Sequence, residues 1–360
     1  MLQKFRNIIS NHTKTPHWIL TVTGVALTTG LLSCQPQTPG NQVSLSGAGA
    51  SFPAPLYQTW FNAYNQQNPN IRINYQSIGS GAGVNQYLEG TVDFGATDAP
   101  LTEQERQKFR TKYNAEPIQV PLTGGAVVFA YNLEGNVKNL RLSRQAYCGI
   151  VQGDIKTWDN PLIAKQNPNV NLPNTPIRFV HRSDGSGTTF LFTNHISKAC
   201  PNWKAGVGKS ISWPTGIGAK GNEGITAQIQ QTQGAIGYVE YAYARENNLN
   251  MATLENQAGQ FVDPSPESAA RALEGQTIPQ NFALEIPDPP GQQAYPIVGL
   301  TWLLLYNQYD NPAKATTLKN FINWALTEGD KYASQLGYIP ISNDLAQRVQ
   351  STVSEKIAAQ

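Results

Sequence analysis

Three segments place hydroxyl side chains beside glycine at what read as helix starts: Ala50-Ser51-Phe52, Gly79-Ser80-Gly81 and Gly185-Ser186-Gly187-Thr188-Thr189. The first N–H groups of a helix have no partner within it and sit at the positive end of its dipole, so such segments bind anions. Glycine lets a ligand approach the backbone closely. One such segment alone reads as an ordinary cap; three in one chain point to a shared anion. Arg182 lies just ahead of the third segment. Its planar fork suits a tetrahedral oxyanion, and a surface ion pair is the alternative. Asp184 is placed to orient that guanidinium. Asp98, in Gly95-Ala96-Thr97-Asp98-Ala99-Pro100, follows a strand and is either a site acceptor or an Asx turn before proline.

The elements that carry these groups alternate. Residues 43–45 read as a strand, and Leu56, Trp60 and Tyr64 fall at helical spacing after it. Residues 71–75 alternate apolar and polar as a half-buried strand does, a short helix follows the second glycine turn, and residues 91–96 read as another strand. The pattern recurs with a strand at 177–180, a polar turn at 181–187, a helix over 188–197 and a strand at 234–241. Such alternation argues for an α/β fold, and ligands of open α/β sheets bind beyond the carboxyl ends of strands. Ile286-Pro287-Asp288-Pro289-Pro290-Gly291 is a strong late breaker. After it, residues 297–306 form an apolar strand-like run, and Leu318, Phe321, Ile322 and Ala325 mark a helix.

The first 33 residues stand apart. They carry Lys4, Arg6 and Lys14 and no acid, then a short apolar stretch ending Leu31-Leu32-Ser33-Cys34. That order is a secretory signal, with a transmembrane anchor as the alternative. Leu-Leu-Ser-Cys resembles the bacterial lipobox, which implies lipidation at Cys34, and residues 34–42 read as a tether. The whole chain has 26 basic and 24 acidic residues; without the signal, 23 face 24. The apparent basicity therefore belongs to the signal, and no nucleic-acid surface is expected. Cys148 and Cys200 remain, either a disulfide in an oxidising compartment or two buried thiols.

The strings GAGASFPAPLYQTWFNAY (47–64), SIGSGAG (77–83), TVDFGATDAPLT (91–102), HRSDGSGTTFLFT (181–193) and GAIGYVEYAYA (234–244) closely resemble bacterial periplasmic phosphate-binding proteins of the PstS family. The resemblance runs over essentially all of the chain after the signal. It implies a two-lobe periplasmic-binding-protein fold of type II with a two-stranded hinge. Residues 1–33 would be the signal peptide and 34–42 the tether. Residues 43–123 with 296–360 would form one lobe, and 124–295 the other. It implies phosphate held by Ser51, Phe52, Ser80, Asp98, Arg182, Ser186, Gly187 and Thr188, with Asp184 pairing with the arginine. Ser51 stands where many relatives have Thr, which keeps the hydroxyl. Gly81 stands where some have Ser, which removes one donor. No cofactor, metal or catalytic residue is implied. The partners implied are inorganic phosphate, the permease subunits of a phosphate ABC transporter and the membrane through the Cys34 lipid. The chain would be a monomer.

Three rivals are weighed against this reading. Ser186 lies in Asp-Gly-Ser-Gly-Thr rather than Gly-x-Ser-x-Gly, and only His181 and His195 survive signal removal, so a phosphatase or serine hydrolase is disfavoured. Gly206-Val207-Gly208-Lys209-Ser210 ends like a P-loop, but Trp203 occupies the position of the first glycine, and Lys209-Ser210 reads as loop polarity. A carrier of another tetrahedral oxyanion differs chiefly at Asp98. An ionised Asp98 only accepts hydrogen bonds, so the ligand must bring a proton, which sulfate lacks. Two unit charges about 4 Å apart at an effective dielectric near 20 repel by ~4 kcal/mol, roughly a thousandfold in affinity.

Overall fold

A computed structural model of the protein describes residues 42–359. The signal segment, Cys34 and the tether up to residue 41 lie outside the described residues. The chain begins β1 (Val43–Gly49), α1 (Ala54–Gln67), β2 (Ile71–Ser77), α2 (Ser80–Glu89), β3 (Phe94–Thr97), α3 (Glu103–Tyr113) and the long β4 (Ile118–Tyr131). It continues β5 (Arg141–Leu142), α4 (Arg144–Gln152), α5 (Pro161–Ala164), β6 (Arg178–Arg182), α6 (Gly187–Ala199), β7 (Ile217–Ala219), α7 (Gly221–Gln231), β8 (Ala235–Glu240) and α8 (Tyr241–Glu246). Then come β9 (Asn250–Met251), β10 (Thr253–Glu255), β11 (Phe261–Val262), α9 (Pro266–Leu273), β12 (Val298–Leu305), β13 (Gln308–Tyr309), α10 (Pro312–Ala325), α11 (Asp330–Leu336), β14 (Ile339–Pro340), α12 (Asn343–Lys356) and β15 (Ala358–Ala359).

Local chemistry explains the helix starts near the site. Pro55 sits in the first turn of α1, where no N–H is needed. Thr102 and Glu105 form a capping box on α3. Ser186 caps α6 by accepting from Thr189 N. Some boundaries differ from expectation: β1 and β2 run on to Gly49 and Ser77, and β3 starts at Phe94, not Thr91. The Asp93 carboxylate instead accepts from Ser46 N at 2.7 Å and pairs with Lys314 Nζ at 2.7 Å, which turns the chain before the ladder begins.

The main sheet runs β2-β1-β3-β12-β4-β8-β6-β7. β1 is parallel to β2 and β3, and β6 is parallel to β7 and β8. Between these two parallel groups, β4 is antiparallel to β12 over Ile118–Ala126 and antiparallel to β8 over Val127–Tyr131. One strand thus serves both groups. All of its residues are buried, so it lacks the apolar–polar alternation of a half-buried strand. At the crossover, Val127 N donates to Ile297 O at 2.9 Å, so two chain segments run side by side there.

Each group has its own aromatic packing. Phe61 meets Phe94 and Phe321 on the β1 side, and Phe192 stacks on Tyr238 with centroids 4.2 Å apart on the β6 side. Cys148 of α4 and Cys200, just past α6, form a disulfide with Cα atoms 5.5 Å apart. Nearby, Asp288 of the proline-rich breaker accepts two bonds from Arg144, at 2.9 and 2.7 Å.

Candidate anion-binding site

The three glycine turns and Asp98 meet at the carboxyl ends of β1, β2, β3 and β6. Ser51 and Phe52 follow β1, Ser80 opens α2, Asp98 follows β3, Arg182 ends β6, and Ser186, Gly187 and Thr188 start α6. Ser51, Phe52, Ser80, Asp98, Arg182, Ser186 and Thr188 are all buried. Gly187 has to be glycine: a Cβ there would fall 2.5 Å from both the Asp98 carboxylate and Ser80 Oγ.

Arg182 is held by its own turn. Nε donates to Asp184 Oδ1 at 2.7 Å, Nη2 to Oδ2 at 2.5 Å, and Nη1 to Thr188 Oγ1 at 3.4 Å. Of the five N–H bonds of a guanidinium, two remain for a ligand. Burial works to raise the Asp184 pKa, but the Arg182 bonds and charge and the Gly221 N–H outweigh it, so the carboxyl lies below its usual range. Asp184 therefore stays ionised and keeps the fork in place.

The hydroxyl oxygens are occupied as acceptors. Ser80 Oγ accepts from Asp98 N at 3.2 Å and from Gly187 N at 3.0 Å. Ser51 Oγ accepts from Asn222 N at 3.1 Å and Nδ2 at 2.9 Å. The Ser51 O–H is left to donate to a ligand, whereas that of Ser80 turns to Asp98. The Phe52 carbonyl is pinned by Tyr338 OH at 2.7 Å. The Gly187 N–H, expected to face the anion, is turned to Ser80.

Asp98 is the one carboxylate inside this ring of donors, with 1% of its surface exposed. Thr301 Oγ donates to its Oδ1 at 2.7 Å, and Ser80 Oγ to Oδ2 at 3.4 Å. Burial lifts its pKa to about 7, against the opposing pull of the Thr301 bond, the Arg182 charge and the Ser80 bond. The arrangement can hold a tetrahedral oxyanion by hydroxyl, amide and guanidinium donors while offering one acceptor.

Comparison with known proteins bears on what that oxyanion is. A family described as the PBP superfamily domain matches residues 35–328. The phosphate-binding protein PstS of Pasteurella multocida is 40% identical over 332 residues, covering 91% of this chain and 93% of that one. That of Methanocaldococcus jannaschii is 38% identical, covering 83% and 82%. The chain belongs to the PstS family. The fold agrees: a solved high-affinity periplasmic phosphate-binding protein bound with phosphate superposes with a TM-score of 0.74 at 22% identity, covering 86% of this chain and 94% of that one. A phosphate-binding protein from Stenotrophomonas maltophilia gives 0.68 at 22%, covering 86% and 93%. The fold is thus the two-lobe α/β fold of periplasmic binding proteins, as the sequence resemblance implied.

The structure adds residues to this candidate site that sequence reading passes over. Asn222, in the first turn of α7, bridges Ser51 and Thr188, donating to Thr188 Oγ1 at 3.1 Å. Thr301 reaches Asp98 from β12; a lone polar residue in the apolar run 297–306 is the signal that could have marked it. Lys209 is more than loop polarity. Its Nζ pairs with Glu105 Oε1 at 2.5 Å, and its carbonyl accepts from Ser186 N at 2.7 Å. His195 faces Tyr147 OH at 3.2 Å and Asp288 at 3.7 Å, and none of its bonds reaches the site.

Proposed function

We propose that this protein captures inorganic phosphate between its lobes and delivers it to the permease subunits of a phosphate ABC transporter. The observation that carries this reading is Asp98, a buried acceptor in a site otherwise made of donors. Phosphate near neutral pH still carries a proton that Asp98 can accept, whereas sulfate has none. Ser51, Ser186 and Thr188 supply hydroxyls, Phe52 its backbone N–H and Arg182 its two free N–H bonds, with Asp184 orienting the guanidinium; Ser80 and the Gly187 N–H, which bond each other in this structure, turn to the anion as it binds. Residues 43–123 with 296–360 form one lobe and 124–295 the other, hinged where β4 runs beside the start of β12. Membership of the PstS family supports the ligand, the transporter partner and a periplasmic setting.

The reading is of a carrier and not an enzyme, acting as a monomer and held to the membrane by lipid on Cys34. Among the described residues no helix is long and apolar enough to cross a membrane. Calorimetric titration with phosphate, arsenate and sulfate at pH 8 tests the ligand. Phosphate and arsenate should each saturate one site, with sulfate clearly weaker. Equal sulfate affinity would make the protein a general oxyanion carrier. Turnover of a chromogenic phosphate ester would make it an enzyme.

A further inference from the structure

Two of the site hydroxyls owe their polarity to one side chain. Asn222 is fully buried, and its Nδ2 donates to both Ser51 Oγ, at 2.9 Å, and Thr188 Oγ1, at 3.1 Å. Its Oδ1 accepts from Glu240 N at 3.0 Å. That last bond fixes the orientation of the amide, because a flipped amide would set its N–H₂ against the Glu240 N–H. A hydroxyl oxygen accepts through two lone pairs and donates one proton. Ser51 Oγ also accepts from Asn222 N, at 3.1 Å, and Thr188 Oγ1 also accepts from Arg182 Nη1, at 3.4 Å. Both lone pairs of each hydroxyl are therefore engaged. Neither hydroxyl donates to an acceptor among the described residues, so each is left with a proton to aim at a ligand.

We infer that Asn222 is a positioning residue that makes Ser51, beyond β1, and Thr188, beyond β6, donors only. It fits the cleft to a ligand that presents bare oxygens on that side and brings its proton to Asp98. This rests on the phosphate reading above and deepens it, by dividing the site into a donor-only flank and a single accepting flank. The arrangement has a cost. An unpartnered buried donor is expensive, so the two hydroxyls favour a closed cleft only when an acceptor fills it.

A double-mutant cycle read by calorimetric titration with inorganic phosphate tests the inference. In the wild type, Ser51→Ala should weaken phosphate by about tenfold or more, the size expected for a hydrogen bond to a charged group. Asn222→Asp keeps the shape and the acceptor for Glu240 N, but replaces the donor with an acceptor. Both hydroxyls then turn to that carboxylate. In this background Ser51→Ala should cost less than about twofold, because its proton no longer reaches phosphate. Ser186→Ala should cost the same in both backgrounds, since Ser186 does not touch Asn222. The added charge weakens phosphate alike in every protein that carries Asn222→Asp, and so cancels in the cycle. If Asn222→Asp does not fold by its melting curve, Asn222→Ala carries the same cycle, with the Ser51→Ala cost cut by at least about threefold. Unchanged Ser51→Ala cost would overturn the inference, as would equal coupling to Ser186, which would mean general loosening. A wild type that binds no phosphate would instead overturn the carrier reading on which the inference rests.

Discussion

Replacing Asp98 by asparagine should open the site to sulfate, by an amount that depends on pH. Charge repulsion alone sets a ceiling: ~4 kcal/mol for two unit charges about 4 Å apart at an effective dielectric near 20, or roughly a thousandfold. The buried Asp98 has a cheaper alternative. With its pKa pushed up to about 7, it can take up a proton when sulfate arrives. That costs ~1.4 kcal/mol for each pH unit above the pKa. Sulfate should therefore be disfavoured through Asp98 about tenfold at pH 8 and about a hundredfold at pH 9. Below pH 7 the carboxyl is already protonated, donates to any oxyanion and discriminates little. In Asp98→Asn the amide supplies an N–H at every pH, so sulfate affinity should be flat. Phosphate loses its proton acceptor and should weaken only modestly. The assay is paired calorimetric titration of wild type and variant with sulfate and phosphate at pH 7, 8 and 9 and constant ionic strength. Wild-type sulfate Kd should climb about tenfold per unit, while the variant stays level. Parallel sulfate curves for the two proteins would refute the reasoning.

How much of this is legible in the sequence depends on whether the chemistry is local. Arg182, Asp184 and Thr188 lie within a few residues of one another, and each glycine turn carries its hydroxyl beside its own glycine, so their types and spacing give them away. β4 leaves no such mark. It is buried along its whole length, so it lacks the alternation of a half-buried strand, and Pro121, Gly124 and Gly125 look like breakers. Its proline is tolerated beside a bulge in the pairing with β12. Asn222 escapes sequence reading because its partners, Ser51 and Thr188, lie 171 and 34 residues away, and only the fold brings them together. Lys209 escapes for the same reason, its partner Glu105 being 104 residues off. The pKa of Asp98 is likewise a property of burial, which the bare motif does not carry. The thousandfold selectivity expected from sequence therefore becomes a pH-graded one.

The remaining predictions follow from single groups. Arg182→Ala should weaken phosphate a hundredfold or more, since two charge-assisted hydrogen bonds of about 1.5–3 kcal/mol each are lost; titration that finds less than about tenfold would remove Arg182 from the ligand shell. Replacing Cys148 and Cys200 together by alanine should lower stability by up to ~4 kcal/mol in the chain-entropy model, yet leave phosphate Kd unchanged, because the bridge lies at the far end of α6 from Ser186; denaturant titration and calorimetry check both halves. Cys34→Ser should release the protein from the membrane fraction with binding intact, and equal retention would count against a lipid anchor. Glu240 should set how stability varies with pH. It is fully buried where β8 meets β4, accepts from Ala242 N at 2.9 Å, shares the one Tyr338 O–H, at 3.1 Å, with the Phe52 carbonyl, and its Oε1 has no partner among the described residues. Burial pushes its pKa up to about 8, despite those bonds. The folded state then binds a proton that the unfolded chain has released, between the ordinary glutamate value and pH 8. Stability is present in acid and is lost as pH rises through that window. Glu240→Gln holds the shape and stays neutral, so Glu240's share of that window should disappear, while the share of Asp98, whose pKa is also raised, remains in both proteins. The gap in melting temperature between variant and wild type, measured without phosphate, should grow in the variant's favour from pH 5 to 8 and level off above. A gap that does not change with pH would mean that Glu240 is ionised in the folded protein throughout, and that its unpartnered oxygen is satisfied in some other way.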